Sequence, residues 1–146
     1  MSASNAFETS LLTLIFNNSN IANIGDATGL RGSSAAGSLY VGLHTGDPGE
    51  AGDQTTSEAN YTGYARVAVA RSGAGWTISG NNASNAAAIT FGACTAGTNT
   101  ITHFSIGTDS TGAGNLLFSG ALTASLAVSA GITPQFAIGE LDVNAD

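Results

Sequence analysis

The chain of 146 residues contains no lysine, and Arg31, Arg66 and Arg71 are its only strong cations. Nucleic-acid binding needs clustered Lys and Arg to neutralise phosphates, so that class is excluded, and anionic membrane surfaces are disfavoured for the same reason. Cys94 is the single cysteine. An internal disulfide is impossible, as is a Cys-based zinc site within one chain, and folding in a reducing cytoplasm is the simple expectation. No apolar run reaches the roughly 18 residues of a spanning helix. The opening "MSASNAFETSLLTLIF" carries Glu8 where a secretory signal would carry Lys or Arg. Charged residues make up only 9% of the chain, against about 25% in an average globular protein.

What remains is apolar and small. Hydrophobic residues account for 42% and mean hydropathy is +0.17, enough for one domain with its own core. The surface must be built from Ser, Thr, Asn, Gly and Ala, which lose little side-chain freedom when covered, as suits a protein packed against others. The formal charge is -7 and the pI near 4.3.

"SNAFETSLLTLIFNNSN" is the one stretch with helical periodicity. Asn5 and Glu8 fit a capping box, and Phe7, Leu11, Leu14 and Ile15 share one face that Leu12 and Phe16 widen. So short a helix must dock, either on its own core or on a neighbouring subunit. Residues 21–37, rich in Gly, Ala, Ser and Asn, read as a connector or arm. After them the period switches to two. "SLYVGLH", "YARVAVAR", "GAGWTISG", "NAAAITFGA", "NTITHFSIG", "GNLLFSGAL", "ASLAVSA" and "TPQFAIGELDV" are strand-like, separated by turn signals such as "SGNN" and "TDSTGAGN". The expected fold is all-β: a single β-sandwich or jelly-roll-like domain over residues 38–146, preceded by an N-terminal amphipathic helix and Gly/Ser-rich arm over residues 1–37.

The stretch "LYVGLHTGDPGEAG" raises the question of a site. His44, Asp47, Glu50 and Asp53 offer nitrogen and oxygen ligands, but three of them lie in a Gly-rich loop and the calcium-loop pattern is absent. Asp-Pro-Gly is a ready turn, so the loop reads as the end of a strand, with a weak divalent-ion site and catalysis as the sharper alternatives. His103, in a strand, reads as a structural hydrogen bonder. No nucleophile elbow, Ser-x-x-Lys or phosphate loop accompanies the abundant Ser and Asp. No catalytic residue, metal or cofactor is assigned. Arg66 and Arg71 each need a carboxylate or carbonyl partner, within the chain or on another subunit. Tyr40, Tyr61, Tyr64 and Trp76 are core or rim residues by default, interface anchors otherwise. The residues assigned to subunit contact are Phe7, Leu11, Leu14, Ile15, Arg31, Tyr40, Arg66 and Arg71.

"LYVGLHTGDPGEAG", "GYARVAV" and "THFSIG…G…LLFSGAL", with "SLLTLIFNN" ahead of them, resemble a family of small virion structural proteins of tailed bacteriophages, over nearly the whole chain. Members are often labelled tail-fibre, minor tail or structural proteins. The resemblance implies a non-enzymatic β-rich building block, made in the bacterial host cytoplasm and residing in the virion. The role taken first is capsid decoration, a cement protein binding and stabilising the shell of the major capsid protein, as a homo-oligomer. The alternative is a tail-fibre or tail-tip protein contacting other tail proteins. A carbohydrate-binding module, from another class, would need exposed aromatic rings on one face.

Overall fold

The computed structural model describes residues 3–145. Ser4 starts the helix: its hydroxyl accepts the Phe7 amide at 3.3 Å and its carbonyl takes the Glu8 amide at 2.9 Å. Helix α1 (Asn5–Asn17) follows and ends on Asn18, in the left-handed conformation that asparagine tolerates. The cap is therefore Ser4 rather than Asn5, and the Glu8 side chain is buried. The inward face is Glu8, Leu12 and Phe16, while Phe7 is 42% exposed. One residue turns a helix by about 100°, which is the offset between the stripe expected through Phe7 and the one formed.

By compactness the chain divides into two units. The first takes in the chain up to Ser38, then Val69–Ala88, then the stretch from Phe136 onward; the second comprises Leu39–Ala68 and Ile89–Gln135. The strands are β1 (Ser38–His44), β2 (Val67–Ala70), β3 (Trp76–Ser79), β4 (Asn82–Asn85), β5 (Ile89–Thr90), β6 (Asn99–Gly107), β7 (Leu116–Val128), β8 (Gln135–Phe136) and β9 (Asp142–Asn144). They form sheets in the orders β2-β1-β6-β7, β3-β4-β9 and β5-β8. The expectation of a mostly-β chain behind an N-terminal helix holds.

In the first unit α1 packs on the antiparallel β3-β4-β9 sheet, with Trp76 opposite Asn85 and Asn82 opposite Asn144. Phe16 meets Trp76 edge-on, ring centroids 4.6 Å apart, and Leu12, Ala83, Leu141 and Val143 are buried in the same unit. Strand β4 is "NASN", polar residues that read as a turn. Tertiary hydrogen bonds make it a strand. Asn82 Nδ2 donates to Asp142 and Asn144 side chains, while buried Asn85 donates to the carbonyls of Ala87 and Ala137 at 2.8 Å and accepts the Leu141 amide at 2.9 Å.

Arg71 closes the C-terminal end of α1. Its guanidinium donates to the carbonyls of Ile15 at 2.7 Å and Leu14 at 2.9 Å, two acceptors that a helix leaves orphaned at its negative end. It also reaches the Ala36 carbonyl, in the arm. The arm folds back on the helix end: Asn18 exchanges two bonds with the Ser33 backbone, and Ile21 and Leu30 exchange two more. At Gly32 a Cβ would fall 2.4 Å from the Asn18 carbonyl oxygen, so only glycine fits that approach.

The second unit holds the long strands. β1 and β6 pair with Val41 opposite Ile106, Leu43 opposite Phe104 and Gly42 opposite Ser105. Alternation therefore gives one apolar face, Val41, Leu43, Phe104 and Ile106, and one polar face, Gly42, His44, His103 and Ser105. β7 pairs with β6 in three registers: β7 has one extra residue between Gly107–Leu116 and Ile106–Phe118, and between His103–Ala121 and Ile101–Leu126 β6 advances two residues and β7 five. The two segments "GNLLFSGAL" and "ASLAVSA" are thus one strand with a bulge.

Replacing Phe16 by Ala should destabilise the first unit by about 3–5 kcal/mol, the usual cost of deleting a buried ring. Trp76 is the only tryptophan, so its fluorescence during urea unfolding reports on this unit alone. An unchanged midpoint would show that the helix is not part of that core.

Candidate functional site

The loop after β1 is organised by its own acidic residues. Asp47 Oδ1 accepts the Gly49 amide at 2.9 Å, and Asp53 Oδ1 accepts the Thr55 amide and hydroxyl at 2.8 and 2.6 Å. The Thr55 hydroxyl and amide hold the Asp53 carboxyl below the usual carboxylate range. These are turn-forming contacts: the strand ends at His44 and a patterned loop begins.

His44, fully buried, ties that loop to the sheet. Its Nδ1 lies 2.8 Å from the Thr56 carbonyl and its Nε2 2.7 Å from Ser105 Oγ. A carbonyl only accepts, so Nδ1 carries the proton and Nε2 accepts the Ser105 hydroxyl. Burial pushes the His44 pKa below its ordinary value, the neighbouring Glu58 opposing and Arg66 and His103 assisting. A Ser–His contact of this length is what a nucleophile and its base require. Here both side chains are buried and a backbone carbonyl stands where a triad has its carboxylate, so the pair is a latch.

Beside it lies a second, stronger clamp. Arg66 grips Glu58 in bidentate fashion, Nε to Oε1 at 2.6 Å and Nη2 to Oε2 at 2.8 Å, with side-chain exposures of 2% and 19%. The same guanidinium donates to the carbonyls of Asp109 and Gly112 at 2.9 Å. Tyr64 donates to Glu58 Oε1 and accepts the Leu43 amide, both at 3.0 Å, and burial pushes its phenol pKa up. Gln54, fully buried, repeats the pattern: Nε2 donates to the Asp109 carbonyl at 3.2 Å and Oε1 accepts the Asp109 amide at 3.0 Å. A Cβ at Gly107 would fall 2.2 Å from Gln54 Cδ, so a glycine makes that seat possible.

The residues assigned to subunit contact are spread over both units. Phe7 and Arg31 are exposed; Leu11, Leu14, Ile15 and Tyr40 are half-buried. Arg66 and Arg71 have internal partners, the first of the two possibilities weighed for them. Trp76 and Tyr61 are buried and the Tyr64 hydroxyl is engaged, so these rings build no exposed platform for a sugar. Cys94 is buried, and His103 Nδ1 lies 2.9 Å from the Thr102 hydroxyl. Among the described residues no group of three His, Cys, Asp or Glu side chains could hold a metal ion. A groove of about 640 Å³ is lined by Asp47, Gly49, Glu50, His103 and residues 116–121. Sequence reading missed Gln54 and Ser105, since an isolated Gln in an acidic loop and a Ser in a strand carry no signal of burial.

Over residues 2–144 the chain matches the family model described as podophage GP4 fiber I protein gp80, and it belongs to that family of phage fibre proteins. No curated protein matches it. The match bears out the resemblance to virion structural proteins of phages and supports the tail-fibre alternative over capsid decoration, the role taken first.

Truncating Glu58 to Ala should cost about 3–5 kcal/mol, because the Arg66 charge would be left unpaired with almost no exposed surface. Chemical denaturation measures it, and a change no larger than that of a surface substitution would refute the clamp. The latch gives a pH dependence of defined sign. The unfolded state binds a proton at His44 near the ordinary value of 6.5, the folded state only at lower pH. Its contribution is complete above that value and declines as pH falls from 6.5 toward the depressed folded value. Urea midpoints should drop over that window in the native protein, and the drop should be smaller in His44→Gln.

Proposed function

We propose that the protein is a non-enzymatic structural component of a podophage tail fibre, made in the bacterial host cytoplasm and carried in the virion, where it works as a homo-oligomer in contact with other tail or fibre proteins. The observation that carries this reading is the family match across nearly the whole chain. The structure supports it in a second way. Its conspicuous polar side chains, Arg66, Glu58, His44, Gln54 and Asn85, are engaged in holding loops and strands, as suits a structural component.

Self-association is proposed through the outer side of α1 and the arm. Phe7, Ile24 and Leu30 are large apolar residues exposed at 42%, 38% and 44%. Exposed apolar groups of this size are the usual anchors of subunit contact. The contact set proposed is Phe7, Leu11, Leu14, Ile15 and Arg31 on the first unit, with Tyr40 on the second. The inward commitments of Arg66 and Arg71 take them out of it.

Labelling the protein in intact particles should place it on the tail fibres; label over the capsid shell would restore the decoration reading. Light scattering of the purified protein should give a mass above that of one chain. Phe7→Asp with Leu30→Asp should shift it to monomer without loss of folding, and a protein that is monomeric from the start would overturn self-association.

A further inference from the structure

We propose that the pocket beside the Arg66–Glu58 clamp binds one ring of a neutral saccharide. The pocket has a volume of about 250 Å³, and Glu58, Tyr64, Ala65, Arg66, Ser110 and Thr111 are among its lining residues. All six belong to the second unit. The volume is below the ~300–1,000 Å³ of sites for drug-sized molecules, so it suits a single small ligand.

The clamp that lines this pocket is bonded short of its capacity. A guanidinium has five N–H donors. Arg66 uses one at Nε, one at Nη1 and two at Nη2, which leaves an Nη1 donor without a partner among the described residues. A carboxylate has about four acceptor sites. Glu58 receives Arg66 Nε and the Tyr64 hydroxyl at Oε1, but only Arg66 Nη2 at Oε2. A donor and an acceptor are thus left over on side chains that are 2% and 19% exposed. Partly satisfied polar groups at such burial are costly, and a ligand that completes them gains accordingly. Ser110 and Thr111 are exposed, and no hydrogen bond among the described residues engages their hydroxyls.

Charge and shape select the ligand. Arg66 and Glu58, the charged residues lining the pocket, cancel each other, so an ion of either sign meets its own charge beside its opposite. Hydroxyl chemistry has no such penalty. Neighbouring hydroxyls on a sugar ring each donate and accept, so one can donate to Glu58 Oε2 while the next accepts from Arg66 Nη1. The Tyr64 ring and the Ala65 methyl offer apolar surface to the C–H groups of the same sugar. The Tyr64 hydroxyl is fixed at both its bonds, so that ring is already in place before a ligand arrives.

The inference does not depend on the self-association proposed above, because the test reads ligand binding by single chains rather than mass. The probes are the methyl glycosides of glucose, galactose, mannose and N-acetylglucosamine, titrated into the full chain and followed by the amide NMR shifts of residues 58–66 and 110–112. At least one should move these amides saturably, with an affinity that salt leaves unchanged. Ser110→Ala with Thr111→Val should weaken it roughly tenfold, as expected for two lost uncharged hydrogen bonds. Ala65→Trp, at an exposed position, should abolish it by filling the pocket. Both variants leave the clamp intact, so their urea midpoints should match that of the native protein. Saturable shifts from none of the glycosides, an affinity that falls with salt, or equal binding of acetate or methylammonium would each overturn the proposal.

Discussion

A guanidinium with almost no exposed surface holds the second unit's loops in place. Arg66 is bound at once to a carboxylate from the loop after β1 and to two carbonyls from the loop between β6 and β7. Neither loop has regular structure to satisfy its backbone, and buried backbone groups must find partners somewhere. The planar fork of arginine suits this task because its five donors can serve several acceptors in fixed directions, which a lysine ammonium would not match. Gln54 does the same work without charge, and His44 fixes the far end of the loop at Thr56. Three side chains of different chemistry thus converge on one stretch of chain, and the stretch is long and rich in residues that would otherwise move.

Scarcity of charge gives this arrangement its weight. With three cations in the chain, engaging two of them internally leaves the exterior almost without positive charge. Arg71, at the orphan carbonyls of α1, follows the same economy in the first unit. The exterior that results is acidic, uncharged or faintly apolar. Such a surface resists association with copies of itself through its acidic regions, and admits it where carboxylates are absent. Buried networks of this kind are also intolerant of partial loss, since a single missing partner strands the others without water.

Much of the fold was legible because it rests on periodicity. The helix, the switch to alternation at β1 and the central strands follow from spacing alone. What was illegible depends on partners distant in sequence. The buried face of α1 is set by Trp76, more than fifty residues away, and one residue's error in phase moves the stripe from Phe16 to Phe7. β4 has no strand signal, because its Asn side chains are satisfied by Asp142, Asn144 and the turn before β9. For the candidate site, the sequence showed the Asp-Pro-Gly turn of "HTGDPGEAG", since that signal is local. It had no means of seeing that His44 would meet Ser105, because strand register joins them.

The two units share a strategy that suits membership of a fibre. In an elongated assembly, angular freedom in each module adds along its length, so a useful module is one whose loops have a single conformation. Hydrophobic packing alone does not provide that in a chain so rich in glycine; it favours burial in many arrangements. Directional bonds from Arg66, Gln54, Asn85 and Arg71 select one arrangement, at positions where a small or apolar side chain would leave carbonyls unsatisfied. Rigidity also lowers the entropic cost of docking, because little remains to be ordered on contact. The residues that look most like chemistry in this protein therefore act on shape, and shape is what a structural component contributes.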